Sequence, residues 1–138
     1  MRFMIIRKAD ADTEAGVLPT EQQIAEMTTY NEELANAGVL LDGQGLHPSS
    51  NASRVSFRDG TPTIVDGPFA ETRELIAGFT IIDVPSREEA LEWVKRWPER
   101  NVDLELRQLF TAEDFGDEFT PELQAREDAI REQTGAKL

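Results

Sequence analysis

The chain lacks cysteine, and it has one histidine and one tyrosine among its 138 residues. The absence of cysteine excludes disulfides, thiol nucleophiles and thiolate metal sites, so that all imidazole chemistry has to rest on His47. No stretch approaches the ~20 apolar residues that a membrane span needs, because Arg7 and Lys8 interrupt the apolar start of the chain. We therefore expect a cytoplasmic protein that works without a metal or another cofactor.

Basic residues are also scarce. The chain has 14 Lys and Arg against 27 Asp and Glu, a formal net charge of −13, which repels phosphate backbones and anionic lipid headgroups. This charge predicts neither a nucleic-acid partner nor a membrane partner. The imbalance is steepest in residues 113–138, which hold 8 acidic and 3 basic residues. We therefore predict a folded body of residues 1–112 and an acidic helical extension of residues 113–138.

Apolar spacing in the first third of the chain predicts a strand, a helix and a second strand. The apolar run at 3–6 is typical of a strand that is buried on both faces. Thr20 with Gln23 forms a capping box that begins a helix, and Gly38 ends it. The predicted buried stripe of this helix includes Ile24, Met27 and Leu34, and a strand follows at 39–41.

The remaining elements repeat this order after an inserted hairpin. The predicted elements are a hairpin from Val55 to Val65 that turns at Asp59-Gly60, a strand at 76–84, a helix from Ser86 to Pro98, a strand at 102–110 and a helix bracketed by Thr120 and Gly135. Two split β-α-β units place both of their helices on the same side of an antiparallel sheet. The sequence therefore predicts an α+β, ferredoxin-like fold with two helices on one face.

This plan leaves the other sheet face uncovered, although the runs at 1–6 and 76–84 are apolar on both faces. Leaving roughly 500 Å² of apolar sheet in water would forgo on the order of 12 kcal/mol. Exposed patches of that size usually mark an interface. We therefore predict a homodimer that closes sheet against sheet.

Two segments are the best candidates for chemistry. Pro48 restrains His47 in the segment from Gly43 to Pro48, and Asp66 ends a predicted strand before a Gly-Pro turn. If the hairpin folds back on residues 43–47, His47 and Asp66 come within hydrogen-bond reach. An Asp beside a His fixes the tautomer of the imidazole and supports general acid–base catalysis. The alternative is that both are ordinary polar residues of loops.

Residues 66–72, with the sequence Asp-Gly-Pro-Phe-Ala-Glu-Thr, resemble the signature of the YCII-related (DGPF-motif) family. Glu74 and residues 76–79 continue the likeness, which covers about residues 1–110. The resemblance implies a dimeric α/β barrel with one active-site cleft per subunit that involves a His and an Asp, at the positions of His47 and Asp66. Some members of the family are associated with extracytoplasmic-function sigma factors.

Five further residues are candidates for binding a substrate. Arg7 ends the first strand and has a guanidinium that suits a carboxylate or an enolate-like oxygen, although a surface ion pair is the plainer interpretation. Tyr30 lies off the predicted apolar stripe and can offer its hydroxyl to the cleft, or it can be a packing residue. The turn after Asp66 supplies the other three, which are Gly67, Pro68 and Phe69.

Two functions are consistent with these residues. The first is a small cofactor-free enzyme in which His47 moves a proton on a small metabolite while Asp66 orients the ring. The second is a ligand-binding or regulatory module without catalysis, associated with a transcription (sigma) factor, that uses the same cleft or docks a basic partner on the acidic surface.

Overall fold

The computed structural model describes residues 1–135 and has a four-stranded antiparallel sheet at its centre. The strands, numbered in chain order, are β1 (Arg2–Lys8), β2 (Leu40–Gly45), β3 (Ser53–Ser56), β4 (Thr63–Asp66), β5 (Ile76–Asp83) and β6 (Leu104–Gln108). The order in the sheet is β2-β5-β1-β6, and β3 and β4 form a separate hairpin. This is the predicted ferredoxin-like, α+β arrangement, which is thereby confirmed.

Four α-helices accompany the sheet in the described residues: α1 (Ala11–Glu14), α2 (Glu21–Asn36), α3 (Arg87–Lys95) and α4 (Pro121–Thr134). The predicted caps are present, because the side chains of Thr20, Ser86 and Thr120 each accept a hydrogen bond from a backbone N–H of the first turn. Gly38 follows α2 with a φ of 74°, a left-handed conformation that favours glycine. None of these helices is long and apolar enough to cross a membrane.

The core lies between one face of the sheet and the helices α2 and α3. Its buried residues are Phe3, Ile5, Tyr30, Leu34, Ile82, Val84, Ala90 and Trp97. The prediction for the stripe of α2 was wrong in two places. Ile24 is 53% exposed, whereas Tyr30 is 3% exposed, because Met27, Tyr30 and Leu34 share the face that packs on the sheet.

The opposite face of the two central strands is also apolar. Met4 pairs with Ile81 and Ile6 pairs with Phe79 across the β1–β5 ladder, and these residues alternate with the residues of the core. Ile6 and Ile81 are buried, while Met4 and Phe79 are half-buried. A homodimer that closes over this face stays a prediction.

Two elements near His47 differ from the prediction. Residues 11–14 form the one-turn helix α1, where a loose connection was expected, because the side chains of Asp10 and Thr13 cap each other's backbone N–H groups. In addition, β2 extends to Gly45 and not only to Leu41, with Gly45 paired to Gly78 of β5. Both elements position the candidate site, because each ends next to His47.

The acidic helix α4 has no buried residue, and the proposed domain boundary at residue 112 stays a prediction.

Candidate functional site

His47 lies just beyond the end of β2. The N–H of Leu46 donates to the carbonyl of Ala77 at 2.8 Å, which continues the β2–β5 pairing by one residue. Pro48 then turns the chain into a short 3-10 helix, Ser49–Asn51. The imidazole is exposed, and its Nδ1 lies 3.4 Å from Nδ2 of Asn51. The backbone on both sides of His47 is therefore fixed, while the ring still faces solvent.

A small cavity adjoins the imidazole. It is lined by His47 and Pro48, by Thr13 and Glu14 of α1, and by the apolar residues Ala9, Leu46, Ile76 and Ala77. Its volume is about 10 Å³, which is close to the space that one water molecule needs. We call this feature the His47 cleft. It is lined by three residues with polar side chains, His47, Thr13 and Glu14, among residues that are otherwise apolar.

Asp66 takes part in a different set of contacts. Its Oδ1 accepts a 2.6 Å hydrogen bond from the hydroxyl of Ser53, and Asp66 does not line the His47 cleft. Within residues 1–135, no hydrogen bond joins His47 to Asp66; the ring contacts Asn51 instead. The hairpin does fold back, but it brings Asp66 to Ser53 at the start of β3. Direct pairing of His47 with Asp66 therefore stays a prediction without a hydrogen bond to support it.

The turn after Asp66 packs on the 3-10 helix that follows His47. The N–H of Gly67 donates to the carbonyl of Ala52 at 2.8 Å, and the N–H of Phe69 donates to Oγ of Ser49 at 3.0 Å. A methyl group on Gly67 would overlap the carbonyl oxygen of Ser49, so only glycine fits this approach. The guanidinium of Arg54 lies 3.8 Å above the ring of Phe69. Gly67 and Phe69 thus order the segment beside His47, while Pro68 is exposed.

Arg7 is buried and its guanidinium donates four hydrogen bonds within the protein. It donates to both carboxylate oxygens of Glu99, to Oδ2 of Asp10 at 3.1 Å and to the carbonyl of Lys8 at 2.7 Å. Burial alone would lower the pKa of Arg7, but the hydrogen bond and charge of Glu99, aided by Asp10, raise it above its ordinary value. Arg7 therefore anchors Asp10, the cap of α1, and its predicted role in substrate binding stays a prediction.

Tyr30 lies on the helix side of the sheet, away from the His47 cleft. Its hydroxyl donates to the carbonyl of Trp93 at 2.7 Å, and its ring meets Trp97 edge to face. Burial raises the pKa of Tyr30 to about 12; the nearby Arg96 opposes this shift and Glu33 adds to it. Tyr30 also borders a cavity of about 250 Å³ with Thr29, Arg96 and Pro98, which we call the helix-side cavity.

Sequence reasoning missed Glu14. Its Oε2 accepts hydrogen bonds from both the N–H and the hydroxyl of Ser49, each at 2.9 Å, across 35 positions of sequence. The available signal in the sequence was the capping pair of Asp10 and Thr13, because this pair begins a helical turn that ends at Glu14.

Among the described residues, no group of three or more His, Asp or Glu side chains is arranged to hold a metal.

Similarity to known proteins is consistent with the resemblance seen in the sequence. An uncharacterized protein of Rhizobium meliloti (strain 1021) is 32% identical over 75 residues, which are 54% of this chain and 60% of that protein. The chain thus aligns with less than two thirds of this relative.

A solved structure, the 5-chloro-2-hydroxyhydroquinone dehydrochlorinase of Burkholderia phenoliruptrix AC1100 in complex with 2,5-dihydroxybenzoquinone, is similar over 83% of this chain and 98% of that one. The identity is 14% and the TM-score is 0.45, a likeness that does not extend to substrate or reaction. The family model described as YCII-related domain matches residues 1–113, and the chain therefore belongs to the YCII-related family.

Proposed function

We propose that this YCII-related protein is a small cofactor-free enzyme in which His47 transfers a proton on a small polar metabolite. The observation that carries the proposal is the composition of the His47 cleft, which His47 lines together with Thr13 and Glu14. Imidazole is the side chain that ordinarily gains and loses a proton near neutral pH. An exposed imidazole on a fixed backbone suits proton exchange with a ligand that arrives from solvent.

The size of the cleft limits the ligand. A drug-sized ligand occupies a pocket of about 300–1,000 Å³, whereas the cavity beside His47 has about 10 Å³. The metabolite therefore lies over the cleft, against the ring of His47 and the exposed side chain of Leu46, and is of few heavy atoms. A second copy of the chain, packed across the apolar sheet face of β1 and β5, is the cover that we propose for it.

Asp66 has a positioning role in this proposal. Its hydrogen bond to Ser53 and the bond from Gly67 to Ala52 hold the segment from Ser49 to Ser53, and this segment includes Asn51, the residue that contacts the ring of His47. Because an amide nitrogen only donates, this contact favours Nδ1 as an acceptor and the ring proton on Nε2. The neutral ring then presents an N–H to the ligand.

Hydrogen–deuterium exchange tests this proposal without knowledge of the natural substrate. The protein is incubated in D₂O with a panel of small enolisable ketones, keto acids and hydroxyketones, and loss of the carbon-bound proton is followed by NMR. We expect the wild type to accelerate exchange of at least one compound, and the His47→Gln variant to lose at least about 100-fold of that rate, the loss typical for a general acid or base.

The matched control is Glu32→Gln, a substitution at an exposed position of α2 that lies outside the cleft, and this variant should exchange as the wild type does. Equal exchange by the wild type and His47→Gln, or no exchange of any compound by the wild type, would contradict the enzymatic role. If panel compounds then still shift the NMR signal of the His47 ring, the site binds ligands without catalysis.

A further inference from the structure

Two hydrogen bonds from Ser49 hold the carboxylate of Glu14. Both hydrogen bonds from Ser49 end on the same oxygen, Oε2, and Ser49 is only 7% exposed. Hydrogen bonds to an ionised carboxylate are about twice as strong as those between neutral groups. The carboxylate therefore has a defined position, although the helix that carries it has only one turn.

The other oxygen of Glu14 retains its acceptor capacity. Within the described part of the chain, no hydrogen bond ends on Oε1, whereas an ionised carboxylate offers about four acceptor sites. Glu14 lines the His47 cleft, and Asp66 does not. Of the two carboxylates that bear on the site, Glu14 is thus the one that shares the cleft with the imidazole.

Ser49 connects this carboxylate to the turn after Asp66. Its hydroxyl donates to Glu14 and at the same time accepts from the N–H of Phe69, so that one oxygen links both partners. Consecutive hydrogen bonds of this kind polarise one another. The turn Gly67–Phe69 therefore positions Glu14 through Ser49, which gives this turn a role in the site without direct contact with the cleft.

We propose that Glu14 is the general base of the His47 cleft and that His47 acts opposite it as the general acid. This inference rests on the proposed function and assigns its second group. The substrate class is a small enolisable hydroxy- or oxo-compound. Its C–H or O–H proton passes to Oε1 of Glu14 while Nε2 of His47 delivers a proton to the neighbouring oxygen or carbon. The double bond shifts within the substrate. Glu14 then releases its proton to solvent and His47 regains one from solvent, so that no oxidant or reductant is needed.

Since His47 is the one histidine of the chain, its ring protons give a separate NMR signal that reports on the charges around the ring. We would record this signal at one fixed pH in the wild type and in Glu14→Gln, which keeps the side-chain length and an oxygen for Ser49. Because a carboxylate beside the ring polarises it, loss of that charge should shift the ring-proton signals measurably. Glu14→Asp keeps the charge and should restore most of the wild-type signal position.

One control makes the result specific. Asp12→Asn removes a negative charge from an exposed position of the same helix, and it should shift the ring signals much less than Glu14→Gln does. Unchanged ring signals in Glu14→Gln, or an equal shift in Asp12→Asn, would overturn the assignment. If Glu14→Gln does not fold, Glu14→Asp takes its place in the exchange assay: a loss of exchange, because the shortened base no longer reaches the substrate, supports the assignment, and wild-type exchange overturns it.

The exchange assay separates the two proposals. If His47→Gln loses exchange while Glu14→Gln retains it, the proposed function stands and the inference about Glu14 fails. If His47→Gln retains exchange, the proposed function fails whatever the ring signals of the Glu14 variants show.

Discussion

The helix-side cavity is larger than the His47 cleft, yet several of its polar groups are already used by the fold. Beside the helix-side cavity, the hydroxyl of Tyr30 is bonded to Trp93, and Arg96 pairs with Glu33 at 2.6 Å. The His47 cleft is far smaller, yet its imidazole has one contact of 3.4 Å, and Glu14 has one oxygen engaged. Chemistry needs groups that can change partners, so open hydrogen-bonding capacity is a better guide to the site than cavity volume.

The core on the helix side should produce the largest loss of stability. Leu34→Ala removes a fully buried side chain of α2 and should lower the free energy of unfolding by about 2–5 kcal/mol. Ile24→Ala, on the same helix but 53% exposed, should change it by less than about 0.5 kcal/mol. Urea titrations of both variants check this. Similar losses of stability in the two variants would show that Ile24 contributes to the core as much as Leu34 does.

Around the His47 cleft, the tightest approach is that of Gly67 to Ser49. Gly67→Ala should lower the free energy of unfolding by about 1–3 kcal/mol or more, because the added methyl group meets backbone that has little room to move. Gly45→Ala is the matched control, since nothing lies within 4 Å of a methyl group there. Thermal melts of the two variants measure the difference, and a Gly67→Ala variant as stable as Gly45→Ala would show that the turn does not pack on Ser49.

The single tyrosine makes the helix side testable at alkaline pH. Burial raises the pKa of Tyr30 to about 12 in the folded chain, whereas an unfolded tyrosine ionises near pH 10. The folded state therefore gains stability from the neutral phenol below about pH 10, and this contribution is lost as the pH rises toward 12. Absorbance at 295 nm should show ionisation in step with unfolding. If Tyr30 of the folded protein instead ionised with a midpoint near pH 10, its hydroxyl would be exposed to water and not buried.

The smallest effect is expected at the cap of α1. The backbone N–H of Thr13, and then Arg7, lower the pKa of Asp10, so its contribution is present above about pH 4 and is lost as the pH falls further. Asp10→Ala should cost about 1 kcal/mol near neutral pH, and less below pH 4. Asp12→Ala, an exposed neighbour, is the control. Denaturant titrations at pH 7 and pH 3 check this, and a pH-independent loss would contradict the ionic role.

Most of the fold could be predicted from the sequence, because periodicity and caps are local signals. The cap at Thr20 and the left-handed Gly38 bound α2, and the order of elements then limits the sheet to one plan. The stripe of α2 was harder, because an aromatic residue with a hydroxyl fits a core or a cleft equally well. Only the position of Trp93 shows that Tyr30 has its hydrogen bond inside the protein.

The candidate site could be predicted only in part. His47 was found because it is the one imidazole, and Asp66 because it precedes a conspicuous turn. The hydrogen bonds from Ser49 to Glu14 join residues 35 positions apart, and no local pattern connects them. A sequence motif shows which residues stand together along the chain, but the cleft is lined by residues of α1, of the segment after β2 and of the start of β5.

Mapping where small molecules bind tests most directly which of the two cavities is the functional site. Amide NMR spectra of the protein would be recorded with a set of small carboxylates, phenols and hydroxyketones, each added in excess. We predict that the largest shifts cluster at the His47 cleft, on Thr13, Glu14, Leu46 and Ala77. Shifts that cluster instead at the helix-side cavity, on Thr29, Glu33 and Arg96, would contradict the assignment of the functional site to His47.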